Sequence, residues 1–476
     1  MYKKFLILFL LIFILFSCAV DNSQKNPPDT TAADISEETT ELNYYRNIPA
    51  GTNFDGYTFN ILQYNHTQWI IYTEIDEFNG EVLNDAAYTR NLEVCGMLGI
   101  EINVMKNSNV ISAMNKSNAA GDNAYDLVIP WIADAVPSAM VDNQLYVWNK
   151  IPVIELKAPW YNQSANDVFN VNGKQYLAVS SLTYTIQQHL RYLFNKELFV
   201  DLGLDYPYQL VYDGKWTYDA LYKYVHDSYA DLNGDGVKDK DDRFGLSGFE
   251  VEIAYSIINW GEFAVYMGND GFTLNIFSER ISTMIDKLRA MVFSNDYLSD
   301  SKAPSGTRNF FNGNVLIAGY SSDPALLRDI EFDFGYLPFP KYDELQQDYI
   351  TRSNGGFMAV PISKPESELE RLGTIIEAMS ASSYKYVNDA FVRHYMEGKV
   401  LRDEDSVNMY RICRRTETYN RAYFFDTTEV IRNLAYYTEF LTNSSLSMAS
   451  QYEKNAAKIE QALQNIYESI INNENN

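Results

Sequence analysis

The chain has 476 residues, 46% hydrophobic and 21% charged, an ordinary globular mixture long enough for two domains with cores of their own. Its net charge of -25 argues against nucleic acid as a partner, because phosphate binding needs the opposite sign. Its 37 tyrosines supply flat faces with a polar tip, which suit recognition surfaces.

The first segment, "MYKKFLILFLLIFILFSC", has a positive start at Lys3 and Lys4 and an apolar run from Phe5 to Phe16. That run is short for a spanning helix and has the order of a secretory signal. "LFSC", Leu15 to Cys18, resembles a bacterial lipobox, in which Cys18 is lipidated and becomes the mature N-terminus. The alternative is an uncleaved signal anchor, and either way the body lies outside the cytoplasmic membrane. Residues 19–50 then form a disordered tether, polar and acidic, with too few large apolar residues to fold. With roughly twenty-five flexible residues at about 5–6 Å × √n, the body sits some 25–30 Å off the membrane. Cys95 and Cys413 are the only cysteines after Cys18, so no disulfide framework is present.

"YTFNIL" (Tyr57 to Leu62) has strand composition. "GEVLNDAAYTRNLEVCGMLG" reads as a helix with Leu83, Ala87, Val94 and Leu98 on one face and Gly99 as its stop. "IEINV" is a second strand, "SAMNKSNAAG" a second helix, and "YDLVIP" a short buried strand ending at Pro130. Strand, helix, strand, helix, strand is the grammar of a parallel sheet with helices on its faces. Ligands of such sheets sit beyond the carboxyl ends of strands, which singles out Tyr64, Asn65, Trp69, Trp131 and Asp134. The middle repeats the grammar less cleanly, with "KQYLAVSS" as a strand and a helix over Thr217–Ala230 capped by Thr217.

"DLNGDGVKDKDD" follows that helix. Read as a twelve-residue loop, it has oxygen ligands at Asp231, Asn233, Asp235, Asp239 and Asp242, the Val237 carbonyl at place seven, and Gly236 at the sharp turn. This is the spacing of an EF-hand calcium loop. The segment after it, "RFGLSGF", is extended and not a second helix, so a bound Ca2+ is expected to act as a structural clasp and not as a sensor. "FFNGNVLIAGYSS" ends a strand at Gly319-Tyr320, and the last quarter of the chain is helical.

Motif order then resembles a known family. "NGKQYLAVSS…LRYLFNKELFVDLGLDYPYQLVYDGKWTYDAL", "FNGNVLIAGYSS", "DFGYLPFPKYDELQQDYIT" and "GKVLRDEDSVNMYRI" resemble extracellular solute-binding proteins of ABC importers, family 1, sugar-binding type. The resemblance covers roughly Gly51 to Glu439. It implies a type II α/β clamshell, two-lobed and periplasmic-binding-protein-like, with a first lobe of 51–179 plus 355–390 and a second of 180–354 plus 391–476. Crossings are expected near Val179–Ser181, near Ser353–Phe357 at "SNGGF", and after Ser380.

On the same resemblance, Trp131, Trp160, Trp260 and Tyr320 are candidate ligand contacts, joining Tyr64 and Asn65 from the strand-end rule. Sugar binding needs flat aromatic faces and a few placed polar groups. Tyr161, Asn162 and Tyr423 to Phe425 lie near further such positions, and Trp216 reads as a packing residue beside a helix start. Arg352 and Asp134 either bind polar ligand groups or face solvent, solvent being the usual place for a charge.

The four histidines show no metal spacing, no G-x-S-x-G turn is present, and no motif marks a facing carboxylate pair. The expectation is therefore a lipid-anchored, extracytoplasmic protein, not an enzyme. It captures a carbohydrate, through hinge closure, for an ABC permease. The alternatives are an exported glycan-active hydrolase and a surface adhesin without a transporter.

Overall fold

The computed structural model describes residues 42–65, 73–131, 135–183, 190–304, 307–321, 324–353, 356–428, 430 and 437–473. The lipobox with Cys18, most of the tether, Trp69 and Asp134 lie outside them. The elements below lie within Asn43–Asn476, which pack as one compact unit.

The predicted opening grammar is present. Strand β1 (Tyr57–Tyr64) leads to helix α1 (Val82–Leu98), β2 (Ile100–Asn107), α2 (Val110–Ala120) and β3 (Leu127–Ile129). Gly99 stops α1 in the left-handed region at φ 61°, where its N–H meets the Cys95 carbonyl. Asn109 caps α2 by accepting the Ser112 N–H. The three strands are parallel in the order β2-β1-β3, with Ile61 opposite Val104 on one side and Leu127 on the other.

The second sheet has five strands. They are β4 (Arg191–Asn195), β5 (Phe244–Gly248), β6 (Tyr297–Ser299), β7 (Val315–Tyr320) and β8 (Phe334–Leu337), in the order β6-β5-β7-β4-β8. β5, β6 and β7 run parallel, and β4 is antiparallel to both β7 and β8. Helix α3 (Tyr218–Val225) precedes β5, and Thr217 caps it through the Ala220 N–H. It ends five residues before Ala230, earlier than predicted. Asp227 takes a left-handed φ of 61°, and the Asp296 carboxylate collects the N–H groups of Asp227 and Tyr229, which a continuing helix would have used.

After the single bridge at Ser180 the chain enters the second sheet at Arg191. It returns to the first sheet beyond β9 (Thr351–Arg352), where Ala359 exchanges backbone hydrogen bonds of 2.9 Å with Val128 of β3. Helix α4 (Leu369–Ser383) then packs on α1 and continues in wider π-type turns through Tyr384–Asn388 and Ala390–Val400. After α5 (Glu404–Arg415), β10 (Glu417–Thr418) pairs with β9. "KQYLAVSS" makes only the two-residue strand Lys174–Gln175 plus single bridges at Ala178 and Ser180.

The last helix, α6 (Met448–Asn472), touches both sides of the molecule. Near its start Tyr452 meets Phe277, while at its end the Lys174 ammonium takes the carbonyls of Ile470, Ile471 and Asn473. A cation at a helix C-terminus meets the negative end of the helix dipole. Expected to belong to the second lobe, α6 is thus also held from the first-sheet side.

Candidate ligand-binding site

The parallel register that aligns Gln63 with Ile129 also brings together the residues just past β1 and β3. Tyr64 and Trp131 stack there, ring centres 5.6 Å apart and planes 21° from parallel, both only partly buried. Asn65 is exposed beside them, its N–H held by the Asn107 carbonyl at 3.0 Å. Three residues predicted from separate strand ends therefore form one small platform with a polar neighbour.

Tyr320 closes β7 at the carboxyl edge of the second sheet. Antiparallel pairing sets Arg191 opposite it, and the Arg191 guanidinium lies 4.6 Å from the centre of its ring. A second guanidinium, Arg308, lies 5.1 Å from that ring and 4.2 Å from the Phe249 ring. Arg308 is buried and pairs with Glu252 at 2.8 Å and Asp300 at 3.1 Å. Burial alone lowers the affinity of Arg308 for its proton, but the two carboxylates outweigh it and hold the charge on. None of Arg191, Arg308 or Glu252 was foreseen. The signal available was a charge inside an apolar run, as in "LRYLF", where burial demands partners.

Arg352 does not face solvent. It is 0% exposed, its guanidinium 3.7 Å from the Tyr255 ring centre and 5.0 Å from that of Tyr423. Aromatic faces attract a guanidinium most strongly where water is excluded. Tyr423, Phe424 and Phe425 are all buried in the short helix Arg421–Phe425.

The other described tryptophans are placed in the core. Trp160 is 1% exposed and donates its indole N–H to Glu377. Trp260 donates to the Pro340 carbonyl at 3.1 Å and meets Tyr218 edge to face. Trp216 donates to the Pro338 carbonyl at 2.9 Å. Tyr161 bonds the Glu377 carboxylate, and Asn162 caps the helix Gln163–Phe169.

The acidic loop is wound by bonds from its own side chains to its backbone. Asp231 accepts the N–H groups of Gly234 at 2.7 Å and Gly236 at 2.9 Å, and Gly236 takes a left-handed φ of 73°. Asn233, Asp235 and Asp239 each accept the N–H two residues ahead. Asp242 is buried beneath, accepting from Leu232 N–H and the Tyr229 hydroxyl, and Val237 is exposed. Mutual backbone bonds between Ala230 and Arg243 close the base strand to strand. The donors are hard oxygens of the kind calcium takes. Among the described residues, however, no group of three Asp, Glu, His or Cys is gathered closely enough to hold a metal.

No family model and no curated protein matches the chain. Solved structures do. The sugar-binding protein MalE from Xanthomonas citri superposes with a TM-score of 0.59 at 12% identity, over 86% of this chain and 97% of the other. The ABC substrate-binding protein Lmo0181 from Listeria monocytogenes, in complex with cycloalternan, gives 0.56 at 13% identity, over 86% and 100%. This chain has the two-lobed fold of the sugar-binding ABC solute-binding proteins. A third example is the galacto-N-biose/lacto-N-biose I-binding protein of Bifidobacterium longum, in complex with lacto-N-biose. It gives a TM-score of 0.52 at 12% identity, over 87% and 98%. Among the described residues of this solute-binding fold, no helix is long and apolar enough to cross a membrane.

Proposed function

We infer that the protein captures a carbohydrate between its lobes and delivers it intact to an ABC permease. The observation that carries this reading is the Tyr64–Trp131 stack at the carboxyl ends of β1 and β3, in a fold shared with an ABC substrate-binding protein solved in complex with cycloalternan. An aromatic platform takes the C–H face of a sugar ring, and exposed Asn65 supplies an amide for hydroxyls. Tyr320 at the end of β7 and Arg352 on β9, both buried, are proposed to back the opposite wall from behind. The lobes exchange between open and closed forms, and ligand adds contacts made only on closing. Binding without chemistry is the reading favoured over hydrolysis.

The acidic loop is inferred to take Ca2+ as a clasp between the end of α3 and the start of β5. Its winding and its Asp231, Asn233, Asp235, Asp239 and Asp242 donors support that reading. Cys18 is inferred to carry the lipid that holds the body on the extracytoplasmic face of the membrane.

The test is a thermal-shift screen of residues 43–476 against mono- and oligosaccharides, with chromatography of the recovered ligand. Ligand at 100 times its dissociation constant adds about 2.7 kcal/mol to the native state. A stabilising saccharide recovered unchanged supports capture, while release of reducing ends moves the reading to a hydrolase. A broad panel without a shift removes carbohydrate as the ligand. Labelled palmitate entering the full chain, but not its Cys18→Ala variant, tests the anchor.

A further inference from the structure

Three parallel strands of the second sheet end side by side, β5 at Gly248, β6 at Ser299 and β7 at Tyr320. Each is followed by a loop, and one buried carboxylate reaches all three loops. Glu252 is 1% exposed. Its Oε2 accepts the Phe249 N–H at 3.1 Å, in the loop after β5. Its Oε1 accepts the Ser321 N–H at 3.0 Å, and the Ser321 hydroxyl as well, in the loop after β7. Both oxygens receive the fork of Arg308, each at 2.8 Å, from the segment that follows β6. Asp300 completes the knot by accepting Arg308 at 3.1 Å and the Asn309 N–H at 2.9 Å.

This arrangement exceeds what holding the sheet together needs. The strands are already joined by their own ladders, whereas the Glu252 bonds among the described residues go to groups beyond the strand ends. A fork-to-fork pair adds direction as well as energy. Five donors on one buried carboxylate leave it little freedom to move. The same Arg308 plane lies against Tyr320, so the ring at the end of β7 is fixed through Glu252 as well. Binding surfaces ordered before the ligand arrives lose less entropy on binding.

We propose that Glu252 is a positioning residue, which through Arg308 and Ser321 pre-orders the ligand-facing edge of the second lobe. The proposal deepens the capture reading and rests on it for the identity of that edge.

The test compares wild type with Glu252→Gln, which keeps the shape but replaces one acceptor oxygen with a donor. Arg308→Lys is the second variant, keeping the charge and losing the fork. Amide exchange is measured without ligand at Phe249, Asn309 and Ser321, and saccharide affinity is measured far below each variant's unfolding temperature. Loss of a hydrogen bond to a charged group predicts about tenfold faster exchange at Phe249 and Ser321, with β1 to β3 unchanged. Affinity is expected to fall about tenfold in both variants, mostly through faster dissociation. A purely structural role would lower the melting temperature and leave affinity at low temperature alone. Unchanged exchange at the three amides overturns the proposal, as does unchanged affinity in both variants. If wild type binds no saccharide but exchange still rises, the capture reading fails and the knot's ordering of the loops stands.

Discussion

Trp160 donates its indole N–H to the carboxylate of Glu377 across 3.1 Å, deep in the packing between residues 155–161 and α4. The Tyr161 hydroxyl adds a bond of 2.8 Å and the Glu155 N–H one of 3.3 Å to the same carboxylate. A sequence position in "APWYNQ" that suggests a ligand face is thus spent on satisfying a buried acid.

Burial raises the Glu377 pKa above its ordinary 4.5, and the bonds from Tyr161, Glu155 and Trp160 only partly oppose it. A carboxyl raised in the folded state contributes stability that is present below 4.5 and lost as pH climbs through the folded value. Glu377→Gln has no such titration. Urea midpoints from pH 4.5 to 8 should therefore show wild type losing stability relative to Glu377→Gln as pH rises. A difference that stays flat, or runs the other way, would contradict the assignment.

Gly373 on α4 tests how tightly that helix is seated. A Cβ there would stand 2.0 Å from the Pro152 carbonyl oxygen, a backbone atom that cannot swing away. Alanine gains up to about 1 kcal/mol of helix propensity over glycine. Overpacking against fixed backbone costs about 3 kcal/mol, so the clash wins. Gly373→Ala is expected to lower stability by about 2 kcal/mol in denaturant titration. A gain in stability would mean that the 151–152 turn yields readily.

Local pattern made part of this molecule legible. Gly99 after an apolar helical face, Thr217 before another, strand composition in β1 and alternation in β2 are signals whose causes lie within a few residues. The stack of Tyr64 and Trp131 was within reach because strand ends in a parallel sheet fall together. What escaped depends on partners far away in the chain. Trp260 is core because residues near 340 fold over it, and Arg352 is buried because Tyr255 and Tyr423 close on it from either side. The end of α3 at Val225 was set by Asp296, which no helix-stop rule could have indicated.

The acidic loop predicts a metal response in a solution free of sugar. Its five acidic or amide donors crowd within twelve positions, and like charges at close range repel. Calcium at 100 times its dissociation constant should add about 2.7 kcal/mol to the native state. Excess chelator should reverse the shift. In Asp231→Ala, which removes the acceptor for the Gly234 and Gly236 N–H groups, the melting temperature should no longer respond to calcium. Magnesium at equal concentration is the control, since it demands a smaller and more regular shell. Equal responses of wild type and variant would place any bound calcium elsewhere.

Trp131 separates binding from folding most cleanly. Its ring is only partly buried and stacks on a neighbour that is itself partly exposed. Trp131→Ala therefore removes about 0.5–1.5 kcal/mol of aromatic pairing without opening the core. On the capture reading, the face of Trp131 turned away from Tyr64 is the one offered to a sugar ring, so the variant loses that contact too. Affinity for the saccharide found in the screen should fall at least about tenfold, a factor worth 1.4 kcal/mol. Trp260→Phe, altering a buried indole bonded to Pro340, should show the reverse, with lower stability and affinity little changed. Calorimetry on both variants checks the contrast. If Trp260→Phe loses the ligand while Trp131→Ala keeps it, the platform at the ends of β1 and β3 is not the place where sugar is held.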